Sequence, residues 1–333
     1  MFIVHSYAFA IFMCIITMIC WGSWANTTKL VDNKKWPFQL FYWDYAIGIL
    51  LFSLVFAFTL GSSGTEGRPF ITDLMQADLK SIGSALLGGI IFNLSNILLV
   101  AAIDLAGMAV AFPIGVGLAL VLGVITNYMG NPQGDPIILF AGVACVTVAI
   151  ILTAIAYSRI QTGDNGNKLK GIITAVLAGV IMGWFFRFVA DSMAVDFANP
   201  AVGKMTPYTA LVIFSVGIFI SNFVWNVAVM KKPISGSPVQ GDAYFKGSIK
   251  EHTTGILGGV IWCIGMALSL IASGAAGYAV SYGLGQGATM VAVIWGVFIW
   301  REFATAPKGT NKLLSIVFAS YILGIILIIA ANS

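Results

Sequence analysis

Charge is what this sequence has least of. Asp, Glu, Lys and Arg make up 9% of its 333 residues, against about 25% in a soluble domain, while 59% of the residues are hydrophobic. That shortage excludes a soluble enzyme and a disordered regulator. Cysteine is also sparse. Cys14, Cys20, Cys145 and Cys263 all lie in apolar stretches with no CxxC, which excludes a disulfide scaffold and reads as buried free thiols. The only histidines, His5 and His252, have no third ligand in sequence reach, so no metal site is expected. No Lys or Arg precedes the first apolar run and three lysines follow it, the reverse of a signal peptide, so that run is read as a mature span. No catalytic constellation and no ATPase motif is present. The chain reads as neither an enzyme nor a cofactor protein, and its net charge of +4 does not speak for nucleic acid.

What fills the sequence is hydrocarbon. Ten apolar runs of about 20 residues are long enough to cross a bilayer: roughly 7–28, 38–60, 81–103, 106–128, 136–158, 171–194, 206–230, 254–273, 277–299 and 312–331. The loops after runs 1, 3, 5, 7 and 9 carry 13 Lys or Arg, and the opposite side carries 3 (Arg68, Lys80 and Lys204). By the positive-inside rule the odd-numbered loops face the cytoplasm and both termini face outward.

A shift of 170 residues lays run 3 over run 8 and run 4 over run 9. Leu87-Gly88-Gly89 meets Leu257-Gly258-Gly259, Ala106-Gly107 meets Ala276-Gly277, and residues 86–125 match at 13 of 40 positions without a gap. Five spans per half is odd, so the second half would insert inverted relative to the first. This predicts an all-α polytopic membrane protein with ten transmembrane helices in two inverted five-helix repeats. The divisions are 1–158, a short linker 159–170, and 171–333. Inverted repeats are the architecture of secondary transporters, with the substrate near midplane between the halves.

Polar groups inside the spans mark the candidate pathway. Asp44, in Phe41-Tyr42-Trp43-Asp44-Tyr45, is an interfacial acid or a carboxyl that exchanges protons during transport. Arg187 and Asp191 are four apart on one helix face and can pair, as a structural ion pair or a gate. Trp21, Trp24 and Asn26 make the end of span 1 polar and aromatic. Asn93 and Asn96 on span 3, and Trp225 and Asn226 on span 7, bond helix to helix or bind solute. Tyr282 and Gln286 sit among Gly283, Gly285 and Gly287 on span 9, a run that suits close packing or a helix break and not a phosphate loop. Pro113 and Gly117 at the matching place in span 4 predict a paired irregularity.

At Gly22-Ser23-Trp24-Ala25, Tyr42-Trp43-Asp44-Tyr45, Gly88-Gly89, Asn93-Leu94-Ser95-Asn96, Gly142-Val143-Ala144-Cys145, Pro207-Tyr208-Thr209-Ala210 and Pro233-Ile234-Ser235-Gly236-Ser237-Pro238, the chain resembles the drug/metabolite transporter superfamily. Within it, the resemblance is to the ureide permease and glucose/ribose-uptake branch. The longest similar stretch runs from Ala276-Gly277-Tyr278-Ala279 through Trp295-Gly296-Val297 to Glu302-Phe303. The resemblance implies proton-coupled uptake of a small neutral polar solute, a ureide or nucleobase, with a monosaccharide as the alternative. A drug exporter and a non-transporting membrane component are the rivals. Plant members have a long hydrophilic central loop, whereas residues 159–170 here are short. Expected partners are the solute, protons and membrane lipid, in a bacterial-type plasma membrane, as a monomer or homodimer.

Overall fold

In the computed structural model, which describes residues 1–32, 34–160, 168–234 and 237–332, the chain is helical apart from turns and one isolated bridge between Met193 and Met205. Residues 161–167 of the expected linker, Ser235 and Gly236 lie outside the described residues. Among the described residues, ten helical stretches are long and apolar enough to cross a membrane, as the hydropathy requires. They are α1 (Tyr7–Ser23) with its 3-10 continuation Trp24–Leu30, α2 (Phe38–Phe58), then, past the short helix α3 (Phe70–Gln76), α4 (Leu79–Ala106), α5 (Met108–Gly130), α6 (Pro136–Ser158), α7 (Lys168–Ser192), α8 (Pro207–Lys231), α9 (Ile249–Ala276), the broken ninth span and α12 (Thr310–Ala330). The ninth span is α10 (Tyr278–Gln286), α11 (Ala288–Ile294) and a π-helical turn, Trp295–Ile299. A further 3-10 segment, Gly241–Lys246, precedes α9.

Local chemistry sets the helix ends. Asp135 caps α6 by accepting from the Ile137 and Ile138 amides ahead of Pro136, which has no N–H to satisfy. Ser248 and Glu251 form a reciprocal capping box on α9. Gly107 and Gly277 sit at φ +78 and +82 between paired helices, a left-handed turn that only glycine enters without a steric penalty. They are 170 residues apart, and each lets two long helices fold back on each other with no loop between them.

The expected irregularity occurs in one half only. Span 9 breaks at Gly287 and unwinds into the π turn, whereas α5 runs unbroken past Pro113. Pro113 is the sixth residue of α5, early enough that few intrahelical bonds are lost.

The two sequence halves interleave. α2 packs on α8 and α9, α4 on α7 and α8, α5 on α7, α6 on α12, and α1 on α9 and α11. Backbones touch where glycine allows it. Gly89 of α4 lies against the Phe214 carbonyl of α8, and Gly259 of α9 lies against the Tyr45 carbonyl of α2. Gly217 meets the Leu86 carbonyl, and Gly48 meets the Ile256 carbonyl. Each contact recurs at an offset of 169 or 170 residues, so the same crossing is built twice. Small residues at such crossings replace the hydrophobic drive that lipid does not supply.

Candidate substrate and proton site

The paired crossings place the large side chains next to them at the centre of the molecule. Phe92 and Trp262, equivalent across the 170-residue shift, are each the fourteenth residue of a 28-residue helix. They meet with ring centroids 4.5 Å apart. Trp21 stacks on Trp262 at 5.8 Å and 11°, Phe214 stacks on its other side at 6.0 Å and 17°, and Tyr45 stands edge-on at 6.4 Å. Trp24 rests on Tyr45 at 4.6 Å. Gly265 and Gly285 leave the space that the Trp21 ring fills. Within this cage the Trp21 indole N–H and the Tyr45 hydroxyl are buried with no hydrogen-bond partner. A buried polar atom left unpaired costs about 1–3 kcal/mol, so such atoms mark a place where a polar ligand is compensated.

A cavity of about 420 Å³ approaches the cage from the side that carries most of the Lys and Arg, here called the basic side. Its rim holds Thr28, Pro37, Gln39, Asp104 and Ser237, and its deeper wall holds Phe41 and Ile97. Phe41 packs on Tyr45 at 6.5 Å, which links the cavity to the cage. The Asn96 amide donates to the Tyr42 hydroxyl at 3.1 Å, and Asn226 donates to the Gln39 carbonyl at 2.8 Å while lining the cavity.

The opposite face is closed by backbone capture. Arg68 bonds Asp73 Oδ1 at 2.9 Å and donates to the carbonyls of Pro200, Ala201 and Lys204 at 2.8, 3.0 and 2.6 Å. Asp73, fully buried, also accepts from the Thr206 amide at 2.7 Å. Tyr208 reaches the Phe2 carbonyl, and Tyr278 the Ala194 carbonyl.

Asp44 lies in the second turn of α2, beside the cavity end, and is 1% exposed. The Tyr244 hydroxyl donates to its Oδ1 at 2.6 Å, and His252 Nδ1 lies 3.0 Å from both of its oxygens. Gly255, one turn beyond His252 on α9, lets that helix approach the Asp44 side chain. Sequence reasoning named His252 only as a poor metal ligand and passed over Tyr244. The signal was available: by loop order α2 and α9 both start on the basic side, which puts Asp44 and His252 at similar depth. Trp262 was likewise seen only as the repeat partner of Phe92.

The structure thus gathers Trp21, Trp24, Tyr42 and Asn96 around the central path. Gln286 is buried one residue beyond Gly285, against Trp21. The other candidates point elsewhere. Trp43 turns away from the cage, donating to Met230 Sδ at 3.4 Å and packing on Phe223. Asn93 ties α4 to the Ile218 carbonyl and Ser221 of α8. Trp225 faces an apolar groove beside Leu94 and Leu98. Asn26 accepts from the Trp300 indole at 2.6 Å, and Tyr282 donates to the Ala119 carbonyl at 3.0 Å. Arg187 and Asp191 do pair, but at the last turns of α7 on the face away from the cavity, where Asp191 is 44% exposed and its carbonyl accepts from Lys204.

Ten apolar helices, a polar path that stops at a central aromatic cage and a sealed opposite face define a membrane transporter, not an enzyme. Comparison with known proteins gives the family. The ureide permease profile matches residues 41–172 and 164–331, and the chain belongs to the ureide permease family. Ureide permease 2 of Arabidopsis thaliana is 25% identical over 396 aligned positions, covering 100% of this chain and 99% of that protein. Ureide permease 4 of the same plant is 24% identical with the same coverage. A protein of Bacillus cereus named "Probable glucose uptake protein GlcU" is 23% identical over 95% of this chain and 98% of its own length. A crystal structure superposes with a TM-score of 0.57 over 97% of this chain and 99% of that one, at 13% identity, a likeness of fold alone.

Proposed function

We propose that this chain imports a small, neutral, planar polar solute of the ureide or nucleobase kind, coupled to protons through Asp44. The observation that carries the reading is the pair of unpartnered polar atoms, the Trp21 indole N–H and the Tyr45 hydroxyl, inside a cage of near-parallel rings. A flat ring bearing amides or a urea group offers faces for Trp21 and Trp262 to stack on and edges for those two groups to bond. No charged side chain belongs to this cage, which suits a neutral solute. The permeases of Arabidopsis thaliana support the same substrate class.

In this reading the basic side is the cytoplasm and both termini lie outside. Residues 1–158 and 171–333 are inverted repeats, and the shape is the one that releases solute inward. A bacterial-type plasma membrane, with a monomer or homodimer as the unit, completes the proposal. A monosaccharide is the second reading. It draws on the glucose uptake relatives and on Gln39, Asn226 and Asp104 along the cavity, which could bond sugar hydroxyls.

The test is uptake by proteoliposomes of labelled allantoin, uracil, ribose and glucose, with and without an imposed pH gradient. Saturable uptake of allantoin or uracil, lost in Trp262→Ala and largely kept in Trp262→Phe, is the expected result. Ribose or glucose as the sole substrate selects the second reading. No saturable uptake of any of the four sinks both.

A further inference from the structure

Asp44 has no route of its own to water. It is 1% exposed, and its oxygens are occupied by the Tyr244 hydroxyl and His252 Nδ1. Only one of those partners can move a proton near neutral pH. Tyr244 lies on the loop segment outside the spans. Burial, and then the neighbouring Asp44, push its phenol above the ordinary range, so it remains an O–H donor. An imidazole changes protonation at a pH of about 6.5 and offers a second nitrogen. The His252 side chain is 27% exposed, and its Nε2 lies beside Gly247 of the basic-side loop. The rings of Trp36 and Tyr244 flank the imidazole edge-on at 5.0 and 4.8 Å and fix its plane. The other charged groups acting here are Glu251, its neighbour on α9, and Lys35 on the loop before α2.

We propose that His252 is the relay through which Asp44 exchanges its proton with the basic-side solution. The inference rests on the reading of Asp44 as the coupling carboxyl. On discharge the Asp44 O–H bond breaks and its proton passes to Nδ1 of a His252 that already carries hydrogen on Nε2. This leaves a carboxylate paired with an imidazolium. The imidazolium then gives its Nε2 proton to water and keeps the new one on Nδ1, so one proton leaves per passage. Loading from the same side reverses the steps. His252 is a positioning and transfer residue that need not touch the solute.

The experiment uses the full chain in proteoliposomes, reading gradient-driven uptake and solute counterflow over a pH series. His252→Gln keeps a side chain able to bond Asp44 but cannot pass a proton on. Gradient-driven uptake is expected to fall by about tenfold or more and to lose its dependence on pH between about 6 and 7, with counterflow retained. Tyr244→Phe is expected to keep that pH dependence. Because the chain has two histidines, a His5→Gln background leaves His252 as the only imidazole. Carbethoxylation there should remove gradient-driven uptake and hydroxylamine should restore it, which covers the case of a His252→Gln protein that does not fold. Wild-type gradient-driven uptake after modification, or in His252→Gln, overturns the relay. Asp44→Asn separates the two ideas: if it still accumulates solute against a gradient, the coupling reading itself fails. If Asp44→Asn loses accumulation and His252→Gln does not, only the relay fails.

Discussion

Gly259→Ala and Gly89→Ala test whether the backbone crossings hold the molecule together. A methyl at Gly259 would stand 3.0 Å from the Tyr45 carbonyl carbon and 2.9 Å from the Ile49 nitrogen. At Gly89 it would stand 3.0 Å from both the Phe214 carbonyl carbon and the Ile218 nitrogen. The carbonyl oxygens point toward the intruder, and a C=O bond is about 1.2 Å long, so the overlap is on the order of 1 Å. No side chain can rotate away, because the atoms met are backbone in the middle of a helix. The helices must part, and the Phe92, Trp262, Phe214 and Tyr45 contacts beside them must loosen. Overpacking costs about 1–3 kcal/mol, and a rigid backbone neighbour places these sites toward the upper end. Both variants should lower the melting midpoint in detergent by several degrees and to similar extents. Gly83→Ala is the control: nothing lies within 4 Å of the added methyl, and an exposed helical Gly→Ala change gains about 0.5–1 kcal/mol. Gly259→Ala and Gly89→Ala proteins as stable as Gly83→Ala would refute the reasoning.

Three further outcomes follow from the geometry. Arg68→Gln strands the fully buried Asp73 carboxylate without its cation and should cost about 3–5 kcal/mol. A cysteine placed at buried Ala194 should then label faster, and an unchanged labelling rate would show that this network does not seal the face. Gly107→Ala and Gly277→Ala force a side chain into the left-handed region and should each cost about 1–2 kcal/mol, read as lower yield and melting point. Asp191→Asn should cost no more than about 1 kcal/mol, the range of exposed pairs, because Asp191 is 44% exposed. A loss of expression like that of Arg68→Gln would instead place the pair in a dry environment.

The spans were legible in the sequence because hydrocarbon length is a one-dimensional property that ten apolar runs record directly. The repeat was legible through Gly89 and Gly259, since glycine at a backbone crossing has no substitute of equal size. Asp44 stood out as an acid among rings. Its partners did not, because they lie 200 and 208 residues away and only the packing of α9 on α2 joins them. Faces were the hardest to read. α2 is apolar all round, so no polar stripe separates Tyr42 and Tyr45, which turn inward, from Trp43, which turns away. Asn93 and Asn96 are three apart on one helix, yet one ties α4 to α8 and the other reaches Tyr42 on α2. Which asparagine serves packing depends on the neighbour, and the neighbour belongs to the other half.

The interleaving of α2 with α9 and of α4 with α8 has a consequence for how the chain is made. The ribosome delivers α2 and α4 before the helices that cover their glycine faces exist. Until α8 and α9 arrive, those grooves can be filled only by lipid tails, which cannot approach the carbonyls as closely as another backbone does. The first five helices alone are therefore a nascent form with a cleft down the middle, and the second five are the wedge that completes it. Cut at the linker and expressed together, the two fragments should find each other in the bilayer. Expressed alone, each should be a substrate for membrane proteases.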